Sequence, residues 1–154
     1  MSGIINSAGS RSGVLGTTEI DYEEGAWTAA ITDGSDNAMN LTTNECSYIK
    51  IGRLVFISGA LTTDSVGSAS GGIKVTGLPF SSWFDDSGKS AITIAYAGGW
   101  NITATESVVL HIPSGGSTVM NFFIWNSAGG VDTFTAAEWS DDGSMQFGGT
   151  YQSN

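Results

Sequence analysis

From Trp27 onward the chain alternates apolar and polar residues with a period of two, the spacing at which side chains of an extended strand share a face. Trp27, Ala29 and Ile31 fall on one side of a first predicted strand, which stops at the turn-forming run Asp33-Gly34-Ser35-Asp36-Asn37. A polar excursion through Asn44 follows. Residues 46–51 and 54–61 are β-rich runs parted only by Gly52-Arg53, which predicts a two-residue hairpin with Gly52 at the positive φ that a type II′ turn demands. Beyond a Ser/Gly loop over 64–72, a short strand at 73–77 is stopped by Leu78-Pro79-Phe80, because proline cannot donate to a ladder. An aromatic and acidic loop at 81–88 precedes strands at 91–96, 108–112 and 118–125. The last two are apolar at successive positions, which predicts central strands covered on both sides. Thr135-Ala136-Ala137-Glu138 has the form of a capping box and predicts one helical turn. Asp141-Asp142-Gly143 reads as a turn before a last strand at 144–151. About eight strands without βαβ alternation predict an all-β fold, an antiparallel β-sandwich or jelly roll.

Residues 1–20 show neither period. They are small residues with a few aliphatic anchors, Ile4, Ile5, Val14 and Leu15. Such a segment does not fold alone, and reads either as a disordered terminus or as an extended arm that docks on a neighbour. We take the second reading, with an extended N-terminal docking arm over 1–24 and a β-sandwich domain over 25–154.

Three short motifs punctuate this pattern: Asp21-Tyr22-Glu23-Glu24-Gly25-Ala26-Trp27-Thr28, then Tyr48-Ile49-Lys50-Ile51-Gly52-Arg53-Leu54-Val55-Phe56-Ile57-Ser58-Gly59, then Gly77-Leu78-Pro79-Phe80. Together they resemble a β-rich module of virion proteins of tailed bacteriophages. The module recurs at the ends of tail-fibre and tail-spike chains and in short stand-alone marine-phage (cyanophage-like) proteins. The resemblance runs from about residue 3 to the end. It implies a structural protein of the virion surface, assembled in the host cytoplasm, either a head decoration (capsid cement) protein or a small tail-fibre tip or accessory protein held by its arm. It further implies partners in the form of other copies of the chain, as a homotrimer, and another virion protein of the capsid or tail fibre.

Composition narrows the choice. A chain of 154 residues with 40% hydrophobic and 13% charged positions is a single globular domain by size and too apolar for a disordered tail. A net charge of −10 with five Lys and Arg argues against a nucleic-acid partner, since neutralising phosphates takes clustered basic residues. The chain lacks an apolar run of membrane-spanning length, and no basic and apolar leader opens it, so no membrane insertion is expected. Cys46 is the single cysteine, which excludes an intrachain disulfide. With no long shaft or heptad segment after its initial methionine, the chain is not expected to make a whole long fibre by itself.

Catalytic signatures are sparse. The single histidine, His111, lies between Leu110 and Ile112 in a predicted strand, and no Gly-x-Ser-x-Gly elbow surrounds a serine. One cysteine and one histidine do not make a zinc site, and no cofactor is expected. Asp33-Gly34-Ser35-Asp36-Asn37, Asp85-Asp86 and Asp141-Asp142-Gly143 are oxygen-rich enough for Ca²⁺ but lack the spacing of an EF-hand, and turn chemistry explains them. The chain is therefore expected not to be an enzyme. The main alternative is a lectin-like adhesin for a host surface glycan. Trp27 and Trp125 fall in apolar strand patterns and are expected in the core, whereas Trp83 and Trp100 fall in loops. The candidate glycan contacts are thus Trp83, Asp85, Asp86, Trp100 and Asn101. A glycan hydrolase stands third and would require two facing carboxylates in a cleft.

Overall fold

The computed structural model describes residues 21–126 and 129–154, so the docking-arm residues Ile4, Ile5, Val14 and Leu15 lie outside it. The described chain is all-β: β1 (Tyr22–Trp27), β2 (Ala30–Asp33), β3 (Asn40–Ile51), β4 (Leu54–Ser65), β5 (Ile73–Thr76), β6 (Ser90–Trp100), β7 (Ser107–Ile112), β8 (Val119–Asn126), β9 (Gly130–Thr133) and β10 (Trp139–Gln152). They form one antiparallel sheet in the order β1-β3-β4-β10-β6-β7-β8-β5-β2, with β9 also on β8. The sheet curls because β6 serves two neighbours. Its first residues, Ser90–Ile92, pair with β7, and from Thr93 onward it pairs with β10 through a ladder broken by bulges. One half (β1, β3, β4, β10 and the rest of β6) thus faces the other across a shared core.

Ten strands replace about eight, and the differences are local. The expected first strand is two. Trp27, Ala29 and Ile31 are all buried, but Trp27 ends β1 at one edge of the sheet and Ile31 lies in β2 at the other. Between them the chain crosses from half to half, and Asn44 stands in for the missing strand partner. Its Oδ1 accepts from the Ala29 N–H at 3.2 Å and its Nδ2 donates to the Ala29 carbonyl at 2.6 Å. The polar stretch before Asn44 is therefore the start of β3. Tyr22, Glu23 and Glu24, assigned above to the arm, are the first residues of β1.

The hairpin forms as expected, with Ile51 opposite Leu54, Gly52 at φ 57° and Arg53 at negative φ. Asp141-Asp142-Gly143 is not a turn between elements but lies inside β10, where the pairing with β6 slips between Trp139 and Ser144. The capping box appears as a single 3-10 turn, Ala136–Glu138, with Glu138 Oε2 accepting from the Thr135 N–H at 2.6 Å.

The core runs through both halves. Val55, Ile57, Leu61, Met145, Phe147 and Tyr151 come from one half, and Ile31, Val75, Leu110, Ile112, Met120 and Phe122 from the other. At one end Trp100, Phe122, Phe134 and Trp139 pack ring against ring with centroids 5.1–6.4 Å apart. The expectation that β7 and β8 are covered on both sides fails. Leu110, Ile112, Met120, Phe122 and Ile124 turn inward, but Trp125 is 54% exposed and not in the core. In a two-layer fold a strand has one inner face, and the apolar residues on its other face stay at the surface.

Candidate functional site

The three motifs meet at one end of the core. The carboxylate of Asp21 takes the Lys50 ammonium at 2.5 Å, and the Tyr48 hydroxyl donates to Glu23 Oε1 at 2.8 Å. Gly25 lies opposite Tyr48 across β1 and β3, and a Cβ there would come within 3.0 Å of the Tyr48 ring. A side chain there would push the ring aside by a few tenths of an ångström, so glycine leaves it the clearest path to Glu23. Phe80 then closes the cluster, edge-on to Tyr48 at 5.2 Å and beneath the Lys50 ammonium at 5.4 Å. The buried Tyr151 hydroxyl donates to the Phe80 carbonyl at 2.9 Å, and burial pushes its pKa up to about 12. The hydrogen bond to the Glu23 carboxylate raises the Tyr48 pKa. Spacing that looked like a signature is a clasp. Its charged and phenolic groups, Asp21 with Lys50 and Glu23 with Tyr48, are paired with one another.

The expected glycan residues do not gather into one shelf. Trp83 is half-buried, tied through its N–H to the Gln152 carbonyl at 2.9 Å and through its carbonyl to the Gly115 N–H at 3.0 Å. The guanidinium of Arg53 lies 3.4 Å from its ring centroid, held in turn by Gln152 Oε1 at 3.0 Å, so a cation covers one face of the ring. Trp100 is in no loop. It ends β6, opposite Trp139, inside the aromatic cluster. Gln152 and Trp139 are the two ends of β10, so about 40 Å of strand separates the two tryptophans' neighbourhoods. Asp85 turns back onto Ser87, and that bond lowers its pKa. Asp86 pairs with Lys89 at 2.9 Å, which lowers its own. Asn101 is exposed, its N–H donating to the Glu138 carbonyl at 2.9 Å.

The remaining chemical candidates are structural as well. Asp33, though charged, is only 1% exposed, and both its oxygens are filled. Oδ1 accepts from the N–H groups of Ser35 (2.8 Å) and Asn37 (3.0 Å), and Oδ2 from Asn37 Nδ2 (2.9 Å) and the Ser70 N–H (3.0 Å). These donors, that of the Asn37 side chain foremost, lower its pKa to about 2 and leave no lone pair directed at a cation. Among the described residues no three His, Cys, Asp or Glu side chains gather as metal ligands. Burial raises the Cys46 thiol to about 11, far from a thiolate, and lowers the pKa of half-buried His111.

What the sequence reading missed is the outward face of the first half-sheet. Alternation along β1, β3, β4 and β10 turns Tyr22, Ile49, Ile51, Leu54 and Phe56 away from the core, where they are 39–55% exposed. They are cross-strand neighbours: Tyr22 beside Ile51, Ile51 beside Leu54, Ile49 beside Phe56. Next to them runs a groove of about 500 Å³ lined by Glu45, Ser58, Ala60, Thr93, Gln146 and Gly148, with the exposed Tyr96 on β6 opposite Gln146. The signal was present. Residues 48–51 and 54–57 are apolar at nearly every position, although only one face of such a strand reaches the core. On the other half, Trp125 and Val131 form an exposed cross-strand pair on β8 and β9, in line with Phe123 and His111, whose rings lie 5.6 Å apart.

No protein-family model matches the chain, and no curated protein matches its sequence. Among solved structures, the fold is similar to that of the Dettilon tailspike protein, with a TM-score of 0.68 over 86% of this chain at 14% identity. The chain spans 24% of that protein's length, so the likeness is of one β-domain to part of a tailspike.

Proposed function

We propose that the chain is a non-enzymatic structural β-domain of a tailed-phage virion, carried on the tail apparatus and attached through residues 1–20. The observation that carries this reading is the fold shared with a tailspike over 86% of the chain, in a sequence whose three motifs had already suggested a virion module. Absence from the head, where a decoration protein would sit, and assembly from several copies, three by the expectation above, belong to the proposal. The chemistry supports a scaffold: Asp21, Glu23, Asp33 and Asp86 each bind a partner within the chain. Immunogold labelling of intact virions with antibody against residues 25–154 tests it. Gold on the tail or its fibres is expected, and gold over the head would make the chain a decoration protein instead. Virions assembled with a chain lacking residues 1–20 should lose the label, while the truncated domain stays folded and soluble.

Glycan binding is a second reading, favoured by one observation: Trp125, not Trp83 or Trp100, presents an open ring on a strand face. Indole rings exposed in this way stack on sugar rings. Retention of the protein on host envelope polysaccharide should then fall with Trp125→Ala and survive Trp83→Ala. The opposite pattern would return the site to the Trp83 loop.

A further inference from the structure

We infer that the outward face of the first half-sheet, centred on Ile51, Leu54 and Phe56, is the seat of a second copy of this chain. The inference deepens the assembly from several copies proposed above by naming the face that makes it, and it does not depend on where the domain is carried.

Area comes first. Tyr22, Ile49, Ile51, Leu54 and Phe56 are 55%, 39%, 50%, 51% and 44% exposed. With full side-chain areas on the order of 200 Å² each, they present roughly 500 Å² of contiguous apolar surface. That is at the upper end of the largest patch on an ordinary monomer, about 300–600 Å². Together with the adjoining groove and Tyr96 it approaches the roughly 800 Å² per partner of a standard protein interface.

Charge then selects the occupant. The chain carries 15 acids against five Lys and Arg. Among the outward positions of this patch and its groove (Tyr22, Glu24, Ala26, Glu45, Ser47, Ile49, Ile51, Leu54, Phe56, Ser58, Ala60, Gln146, Gly148, Thr150 and Gln152) the acids are Glu24, on the edge strand with its carboxylate accepting the Tyr22 hydroxyl, and Glu45, on the groove, and no Lys or Arg is among them. A basic partner would find no carboxylate at the centre of the ridge to pair with. A second copy brings the same uncharged centre at Ile51, Leu54 and Phe56, so the two acidic chains can meet with Glu24 and Glu45 left at the margin of the contact.

Shape agrees. The ridge of Ile49, Ile51, Leu54 and Phe56 adjoins a groove floored by Gly148 and walled by Ser58, Ala60 and Thr93. One face offers both a ridge and a slot, so that the ridge of one copy can enter the groove of the next.

Sedimentation velocity of the full chain from low to high micromolar tests this. The expected mass is a multiple of 15.9 kDa. The double variant Leu54→Glu, Phe56→Glu should weaken association on the order of 100-fold, leaving single chains with an unchanged circular-dichroism spectrum. Trp125→Glu, on the other half-sheet, should leave the multimer intact. Raising salt should preserve or tighten the contact, because it screens the repulsion of two chains of charge −10. A full chain that stays at 15.9 kDa throughout, or a multimer indifferent to the double variant, overturns the inference. So does a single chain that associates only after residues 1–20 are removed, which would make that segment the occupant of the face.

Discussion

The β3–β4 hairpin has two apolar faces with different fates. Inward, Cys46, Val55 and Ile57 are sealed in the core, with Tyr48 and Lys50 under Phe80. Outward, on the same two strands, Ile49, Ile51, Leu54 and Phe56 stand 39–51% exposed. Composition does not distinguish the faces. What distinguishes them is that the second half-sheet covers one and nothing within the described chain covers the other. The inward face therefore carries stability, and the outward face is available for association.

Substitutions can separate the two roles, and the largest effect belongs inside. Ile57→Ala, at a fully buried site, should lower unfolding free energy by about 2–5 kcal/mol in urea titrations. A loss below about 1 kcal/mol would mean that the inner face is not the sealed one. The clasp comes next. Gly25→Val must displace the Tyr48 ring, break its bond to Glu23 and cost about 1–3 kcal/mol, visible as a lower melting temperature and a perturbed tyrosine signal. Asn44→Ala removes the two bonds that hold Ala29 at the crossover and should cost about 1 kcal/mol. Smallest is Phe56→Glu, which should move stability by no more than about 0.5 kcal/mol. Its consequence belongs to association, not folding.

Acid sharpens the contrast. The Asp33 pKa is lowered to about 2 in the fold, below the roughly 3.9 of an unfolded chain. The unfolded state thus binds the proton first, and the stabilisation present above about pH 4 drains away as pH falls toward 2. Asp33→Asn should flatten that part of the stability profile. The lowered pKa of His111 works in the same direction, with the unfolded chain protonating before the folded one as pH drops below about 6.5. On the outer face the carboxylates, Glu24 and Glu45, flank the apolar ridge of Ile51, Leu54 and Phe56, so association should persist over the range in which the fold survives.

Tryptophans show where sequence reading stops. Trp27 and Trp125 share a strand pattern, yet Trp27 is 8% exposed and Trp125 54%. Period two says that alternate residues share a face, not which face meets the other sheet. Trp100 was read as a loop residue because it follows Gly98-Gly99, but β6 runs on through both glycines to the aromatic cluster. Trp83 was correctly placed in a loop. Arg53, thirty positions earlier in the hairpin turn, lies over its ring, a contact visible only in three dimensions.

The sequence by itself determined the class: period-two runs, turn chemistry and a two-residue hairpin are local, and local geometry follows from φ preferences and side-chain alternation. It also marked Asp21–Trp27, Tyr48–Gly52 and Gly77–Phe80 as a set, though not why they belong together. Tertiary structure decided what depends on long-range closure. It sent β1 and β2 to opposite edges, turned the sheet at β6, brought the three motifs into one clasp, and left one apolar face of the hairpin open. Burial is a property of what packs across from a strand, and for this chain the packing partners lie tens of residues away.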